Sequence, residues 1–165
     1  MKIISHRGNL YGPNPELENK PEYILEAIKC NFRVEIDLWV IGDNDELYLG
    51  HDEPQYKITI EFFNKMSPDM LLVHCKNPKA LSYITELNPI LKLEIFTHRS
   101  DEYSFTSTGK LLIYPHAKTL LDGAILMIPE KYERHNQCHI TDLDVKLGVI
   151  CTDYPFDYLK NFQIK

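Results

Sequence analysis

The sequence predicts an α/β fold, a compact (β/α)8 TIM-type barrel with shortened or missing helices. Eight short runs rich in β-branched and aromatic residues recur along the chain, and several read as continuous rather than alternating, the pattern of parallel strands covered on both faces. Helical segments fall between them. The length of 165 residues leaves about 21 per βα unit, where a typical barrel of ~250 residues has about 31. The helices must therefore be cut back.

The strand runs occupy residues 2–5, 34–40, 47–49, 71–73, 93–97, 111–114, 124–128 and 149–152. The run 34–40 is mixed, with Glu35 and Asp37 alternating with Ile36 and Leu38, so one of its faces carries acid. Asn19 reads as a helix N-cap, with Pro21 in the first turn and Glu22 as its capping-box partner. That helix buries Ile24, Leu25 and Ile28 and stops at Asn31, which tolerates the left-handed conformation. Shorter helices are expected at 59–66, 78–87, 141–147 and 155–162. Residues 43–46 read as a tight turn into 47–49, and 99–110 as loop in place of a helix. No linker or repeat divides the chain, so residues 1–165 read as a single domain.

Eighteen Lys and Arg against twenty-four Asp and Glu give a net charge of −6. No global positive field gathers polyanions, and nucleic acid is not an expected partner. The start MKIISHRG lacks a secretory apolar core, and no run approaches the ~18 apolar residues of a membrane span. Cys30, Cys75, Cys138 and Cys151 form no C-x-x-C pair, which leaves neither a zinc knuckle nor a dithiol motif. A reduced cytoplasmic location is expected, without stable membrane insertion.

Histidine placement carries the functional signal. His6, His51, His74, His98 and His116 each stand at the carboxyl end of a strand run, and in a parallel barrel those ends share the face where chemistry takes place. Such a rim suits general acid/base work or metal binding. His135 and His139 lie in a polar stretch and read as solvated. Glu35 and Asp37 are two apart and face the same way, either toward solvent or, given their apolar flanks, as a ligand pair for a hard cation. Arg7, Lys76 and Arg99 follow strand ends too, and cations beside such carboxylates suit an anionic, phosphate-bearing substrate.

Several motifs occur in order along the chain: HRG at His6, Arg7 and Gly8; Glu18 and Asn19 before a helix; E-x-D at Glu35 and Asp37; D-x-L-Y-L-x-H-D from Asp45 to Asp52; and a closing GVICTDYP containing Asp153. Together they resemble the glycerophosphodiester phosphodiesterase family, part of the phosphatidylinositol-phospholipase-C-like phosphodiesterases, which have a TIM-barrel fold. The resemblance implies metal-dependent hydrolysis of a small phosphodiester to an alcohol and a phosphomonoester, with a place in lipid metabolism. It implies His6 and His51 as the acid/base pair, Arg7 and Lys76 as phosphate contacts, and Glu35 and Asp37 as metal ligands. His74 stands where the family has a third carboxylate, and PELEN replaces P-E-N-T around Glu18 and Asn19. Glu18, Asn19, His98, His116 and Asp153 are candidate supporting residues. The divalent ion is expected to be Mg, Mn or Ca, with Zn admitted by the His74 imidazole.

Two other readings stay open on the sequence: a barrel that binds a phosphorylated sugar or polyol without cleaving it, and a phosphomonoesterase. A homodimer covering the outer strand surface left bare by short helices is a further expectation.

Overall fold

A computed structural model describes residues 2–163. The elements in chain order are β1 (Lys2–His6), α1 (Pro21–Lys29), β2 (Arg33–Ile41), β3 (Glu46–Leu49), β4 (Tyr56–Ile58), β5 (Leu71–Cys75), α2 (Pro78–Leu91), β6 (Glu94–Phe96), β7 (Tyr103–Phe105), β8 (Leu111–Ile113), β9 (Ile125–Met127), α3 (Pro129–Asn136), β10 (Val149–Thr152) and α4 (Pro155–Gln163). Three 3-10 segments lie at Ile60–Lys65, Pro68–Met70 and Ile140–Asp142. Among the described residues no helix is long and apolar enough to cross a membrane.

The sheet curls through eight strands in the order β6, β5, β2, β1, β10, β9, β8, β7. The first seven run parallel, and β7 returns antiparallel to β8. This corrects the expectation of eight parallel βα units: the architecture is TIM-like, but among the described residues no ladder closes the barrel. Where the two ends of the sheet meet, the Ser107 N–H donates to the Ile95 carbonyl (2.7 Å) and the Ile95 N–H donates to Ser107 Oγ (3.1 Å), beside the bonds that Thr106, Thr108 and Lys110 make to Glu94.

Period-two alternation sorts the strand residues into two layers. Val34, Ile36 and Leu38 of β2 and Leu71, Val73 and Cys75 of β5 point outward and pack with Ile24 and Ala27 of α1 and Ala80 and Ile84 of α2. Ile4, Leu72, Leu112, Ile125 and Cys151 fill the interior. Below them, at the amino ends of the strands, Glu94 pairs with Arg33 (2.7 Å) and Lys110 (2.9 Å) and accepts the Thr106 and Thr108 hydroxyls. Each donor lowers the cost of the carboxylate. Although burial raises it, these hydrogen bonds hold Glu94 down at about 2.

Several local expectations need correction. Run 47–49 is not a barrel strand; β3 folds back antiparallel on the upper half of β2, pairing Leu49 with Leu38. Lys20, not Asn19, precedes α1, and the Asn19 side chain is used elsewhere. Asn31 does take a left-handed conformation after α1 (φ 65°). Segment 99–110 contains β7, and 141–147 holds only the end of a 3-10 turn. Segment 59–66 winds as a 3-10 segment. Helix α3 was not expected, because within PEKYERHN only Pro129 and Tyr132 are buried.

Candidate active site

The carboxyl ends of the strands surround a cavity of about 320 Å³ lined by His6, Arg7, Glu35, His51, His74 and Lys76 on one side. Strand register dictates the grouping. His6 lies beside Glu35, and Asp37 beside His74, in adjacent parallel strands. All four point into the barrel and are buried. His51 arrives by a different route, since β3 descends along β2 until the Gly50 N–H donates to the Asp37 carbonyl (3.1 Å). A Cβ on Gly50 would lie 2.1 Å from the Glu53 carbonyl oxygen, so only glycine fits this approach.

Asp37 is crowded with donors. Asn19 Nδ2 donates at 2.9 Å, and the Asp37 N–H donates in return to Asn19 Oδ1 (2.8 Å). His74 Nδ1 lies 2.9 Å away, Arg7 Nε 3.0 Å, Lys76 Nζ 3.3 Å and His51 Nδ1 3.3 Å. Burial alone would raise its carboxyl, yet the His51 and His74 bonds and the Arg7 charge hold it well below the carboxylate range. Glu35 behaves oppositely. Burial and the adjacent Asp37 charge push it well up. Its Oε2 has no hydrogen-bond partner, and neither does the buried Nε2 of His74.

His6 Nδ1 meets Asp153 Oδ1 at 2.6 Å, while Nε2 is 3.9 Å from Glu35 Oε2. Burial lowers the His6 imidazole, against the opposing pull of Asp153. Burial would raise the Asp153 carboxyl, but its bond to His6 keeps it low. Asp153 is therefore ionised, the Nδ1 proton points to it, and Nε2 is left as a lone pair toward the cavity. Arg7 Nη2 lies 3.2 Å from His51 Nε2, and His51 Nδ1 lies 3.3 Å from both Asp37 Oδ2 and Lys76 Nζ. Two histidines, His51 and His74, thus stand against Asp37 and one, His6, against Asp153.

Glu18 Oε2 pairs with Arg7 (2.9 Å), and Glu18 Oε1 accepts from Asn9 Nδ2 (2.9 Å). Arg7 adopts a left-handed backbone (φ 54°), a strained conformation at the centre of the site. The opposite wall is aromatic: the His74 ring stacks on Phe96 (4.6 Å) and the His98 ring on Tyr114 (3.5 Å). Burial takes His98 down to about 4, with the His74 charge adding to it. His116 stands exposed on the rim. Every expected site residue thus falls on or immediately behind this one cavity.

Sequence reasoning missed two supporting residues. Asn9 joins Glu18 to Asp153 (2.9 and 2.8 Å), and its position directly after HRG was the available signal. Glu130 accepts the Asp153 N–H (2.9 Å) and the Thr152 hydroxyl (3.0 Å), and burial raises it to about 7. It sits on the unexpected α3, so no pattern pointed to it.

No protein-family model and no curated protein matches the sequence. Solved structures do. A glycerophosphodiester phosphodiesterase from Parabacteroides distasonis superposes with a TM-score of 0.62 over 99% of this chain and 97% of that one, at 12% identity. The fold is shared with glycerophosphodiester phosphodiesterases. A further structure from Galdieria sulphuraria, a candidate for the same activity, matches with a TM-score of 0.55 and 16% identity, covering 99% of this chain and 98% of that one. At these identities the likeness extends to the fold, and the chemistry must come from the site itself.

Glu35, Asp37 and His74 present ligand atoms all within 4.8 Å of one another. A divalent cation fits this set. Two buried carboxylates side by side repel, and Glu35 Oε2 is unsatisfied by any protein donor.

Proposed function

We propose that this protein is a metal-dependent phosphodiesterase that hydrolyses a small glycerophosphodiester-like substrate to an alcohol and a phosphomonoester. The observation that carries the reading is the Glu35, Asp37 and His74 cluster, flanked by His6 on one side and by Arg7, His51 and Lys76 on the other. A shared fold with a glycerophosphodiester phosphodiesterase supports it.

A cation held by Glu35, Asp37 and His74 would neutralise the phosphate and act as a Lewis acid on its oxygens. Two carboxylates and one imidazole suit Mn²⁺ or Mg²⁺ and admit Zn²⁺. Arg7, clamped by Glu18 and Asp37, and Lys76 hold fixed positive charge where negative charge spreads in the transition state. His6 and His51 divide the proton transfers: one accepts the proton of the attacking water or substrate hydroxyl, and the other protonates the departing alkoxide. With water as nucleophile, one P–O bond forms to water and one breaks to the leaving alcohol. Asp153 keeps the His6 proton on Nδ1, so that Nε2 is the atom that exchanges one. Asn19 and Asn9 fix the two carboxylates behind these groups.

The test is hydrolysis of glycerophosphoglycerol and glycerophosphoethanolamine by protein stripped with EDTA and then supplied with Mn²⁺ or Mg²⁺. Activity should depend on the added ion, and His6→Ala should lose about 10²–10⁴-fold in kcat with an unchanged circular dichroism spectrum. Turnover that survives both chelation and His6→Ala would refute the assignment.

A further inference from the structure

We propose that the site prefers phosphodiesters whose alcohol carries a second negative charge, a phosphate or a carboxylate, received by Arg99 and Lys131. The inference rests on the phosphodiesterase reading and extends it to the substrate's far end. The cavity has two cationic zones. Arg7 and Lys76 are engaged with Asp37, next to the cation-binding cluster. Arg99, just after His98, and Lys131, in the first turn of α3, line the same cavity. Among the described residues no carboxylate forms an ion pair with either. Asp101 acts electrostatically on His98 but does not neutralise Arg99 through an ion pair. The cavity lining contains four Arg and Lys and a single carboxylate, Glu35, on a chain whose net charge is −6. A monoanionic diester needs only the cation and the first pair, so the second pair is surplus to catalysis.

Both zones line the same cavity of about 320 Å³. The His74 ring, at the cation cluster, and the His98 ring, beside Arg99, are 6.5 Å apart. A polyol bonded to a phosphate at the cluster spans that distance along the Phe96 and Tyr114 rings. Stacking of His98 on Tyr114 at 3.5 Å makes this wall flat and rigid. Aromatic walls alone would also welcome a quaternary ammonium such as choline, by attraction to the ring faces. Arg99 and Lys131, both exposed and lining the same cavity, repel it. The same cations attract an anionic group, with an attraction that salt screens.

The experiment compares kcat/KM for three glycerophosphodiesters differing in the second alcohol: choline, glycerol 3-phosphate, and glycolate, whose charge is a carboxylate. At low salt the anionic diesters should exceed the choline diester by about tenfold or more, with the advantage shrinking in about 0.5 M salt. The double variant Arg99→Glu/Lys131→Glu should invert the ratio toward choline. Preference for the phosphate-bearing diester alone, or for both anions, supports the proposal and identifies the anion. Equal or choline-favouring ratios in the wild type, or a ratio untouched by the double variant, overturn it. If no diester is hydrolysed, the phosphodiesterase reading fails separately. Calorimetric affinities for the same three compounds then decide the preference on the same criterion.

Discussion

Two glutamates enter the barrel interior from its opposite ends, and they live in opposite circumstances. Glu94, at the amino ends of the strands, is surrounded by Arg33, Lys110, Thr106 and Thr108 and is held down at about 2. Glu35, at the carboxyl ends, has Asp37 as a neighbour, leaves Oε2 unpartnered, and is pushed well above its usual value. A buried carboxylate is expensive to desolvate, and only completed hydrogen bonds and opposite charge offset that cost. At Glu94 the offset comes from within the chain. At Glu35 it is left for something outside the chain to supply. The contrast separates a charged cluster that holds the fold from one that is kept ready for a ligand.

The largest expected effect sharpens this contrast. Glu35→Gln should abolish tight divalent-ion binding by calorimetry and cost about 10³-fold or more in kcat, a loss of the size expected when a Lewis-acid site fails. The same change should raise the melting temperature of the metal-free protein at pH 7. The sign follows from the raised Glu35 carboxyl: its folded form holds the proton more tightly than the unfolded chain. Its contribution to stability is therefore full below the unfolded value near 4.5 and is lost as pH rises through the folded value. Glutamine removes that loss. A Glu35→Gln protein that melts lower than wild type would break the contrast.

Next in size is Asp153→Asn, which leaves His6 in place but frees its tautomer. A fall of about 10²-fold in kcat is expected, with divalent-ion affinity within a few-fold of wild type. A matching collapse of ion affinity would mean that Asp153 supports the cation and not the histidine.

Glu94→Gln should do the reverse of Glu35→Gln. Urea unfolding at pH 7 should show a loss of about 2 kcal/mol, the scale of charge-assisted hydrogen bonds with one partner removed, while ion affinity is unchanged. Because Glu94 is depressed to about 2 in the fold, its stabilising contribution is present above the unfolded value near 4.5 and fades as pH falls from there toward 2. The difference between wild type and variant should narrow over that window. The smallest effect is at the seam: Ser107→Ala removes the acceptor for the Ile95 N–H and should cost about 1 kcal/mol in the same assay.

The rim was far more legible in the sequence than the layout beneath it. Period-two alternation puts Glu35 and Asp37 on one side of their strand, and the apolar flanks Ile36 and Leu38 favour a ligand pair over a solvated face; burial of both carboxylates in the structure decides between the two. His6 and His74 stand out instead by their place at the carboxyl ends of strand runs. His51 does reach the cavity, but not as the end of a parallel barrel strand, since a tight turn cannot reveal whether the next strand goes on in parallel or folds back. Asn19 shows a second limit. Side-chain oxygens that cap helices are equally able to hold a buried carboxylate, and only the tertiary neighbour, Asp37, decides between the two uses. Helix α3 was hidden because one buried tyrosine and one buried proline do not make an apolar stripe. Strand β7 was hidden because it is three residues long and ends in the exposed Phe105.

The meeting of β6 with the β7 hairpin through Ser107 turns the barrel into a ring with a clasp. Phe96 and His98 stand on one side of that clasp and Tyr114 on the other. Among the described residues no ladder crosses it, but Glu94 accepts from Thr106, Thr108 and Lys110 across the junction and the His98 ring stacks on Tyr114. The ring is thus closed by side chains along the wall of His98 and Tyr114, while the strands of His6, Glu35, Asp37 and His74 on the far side are paired with neighbours on both edges. Substitutions at Ser107 or Glu94 therefore act on the closure of the ring and leave every parallel pairing of the far side in place.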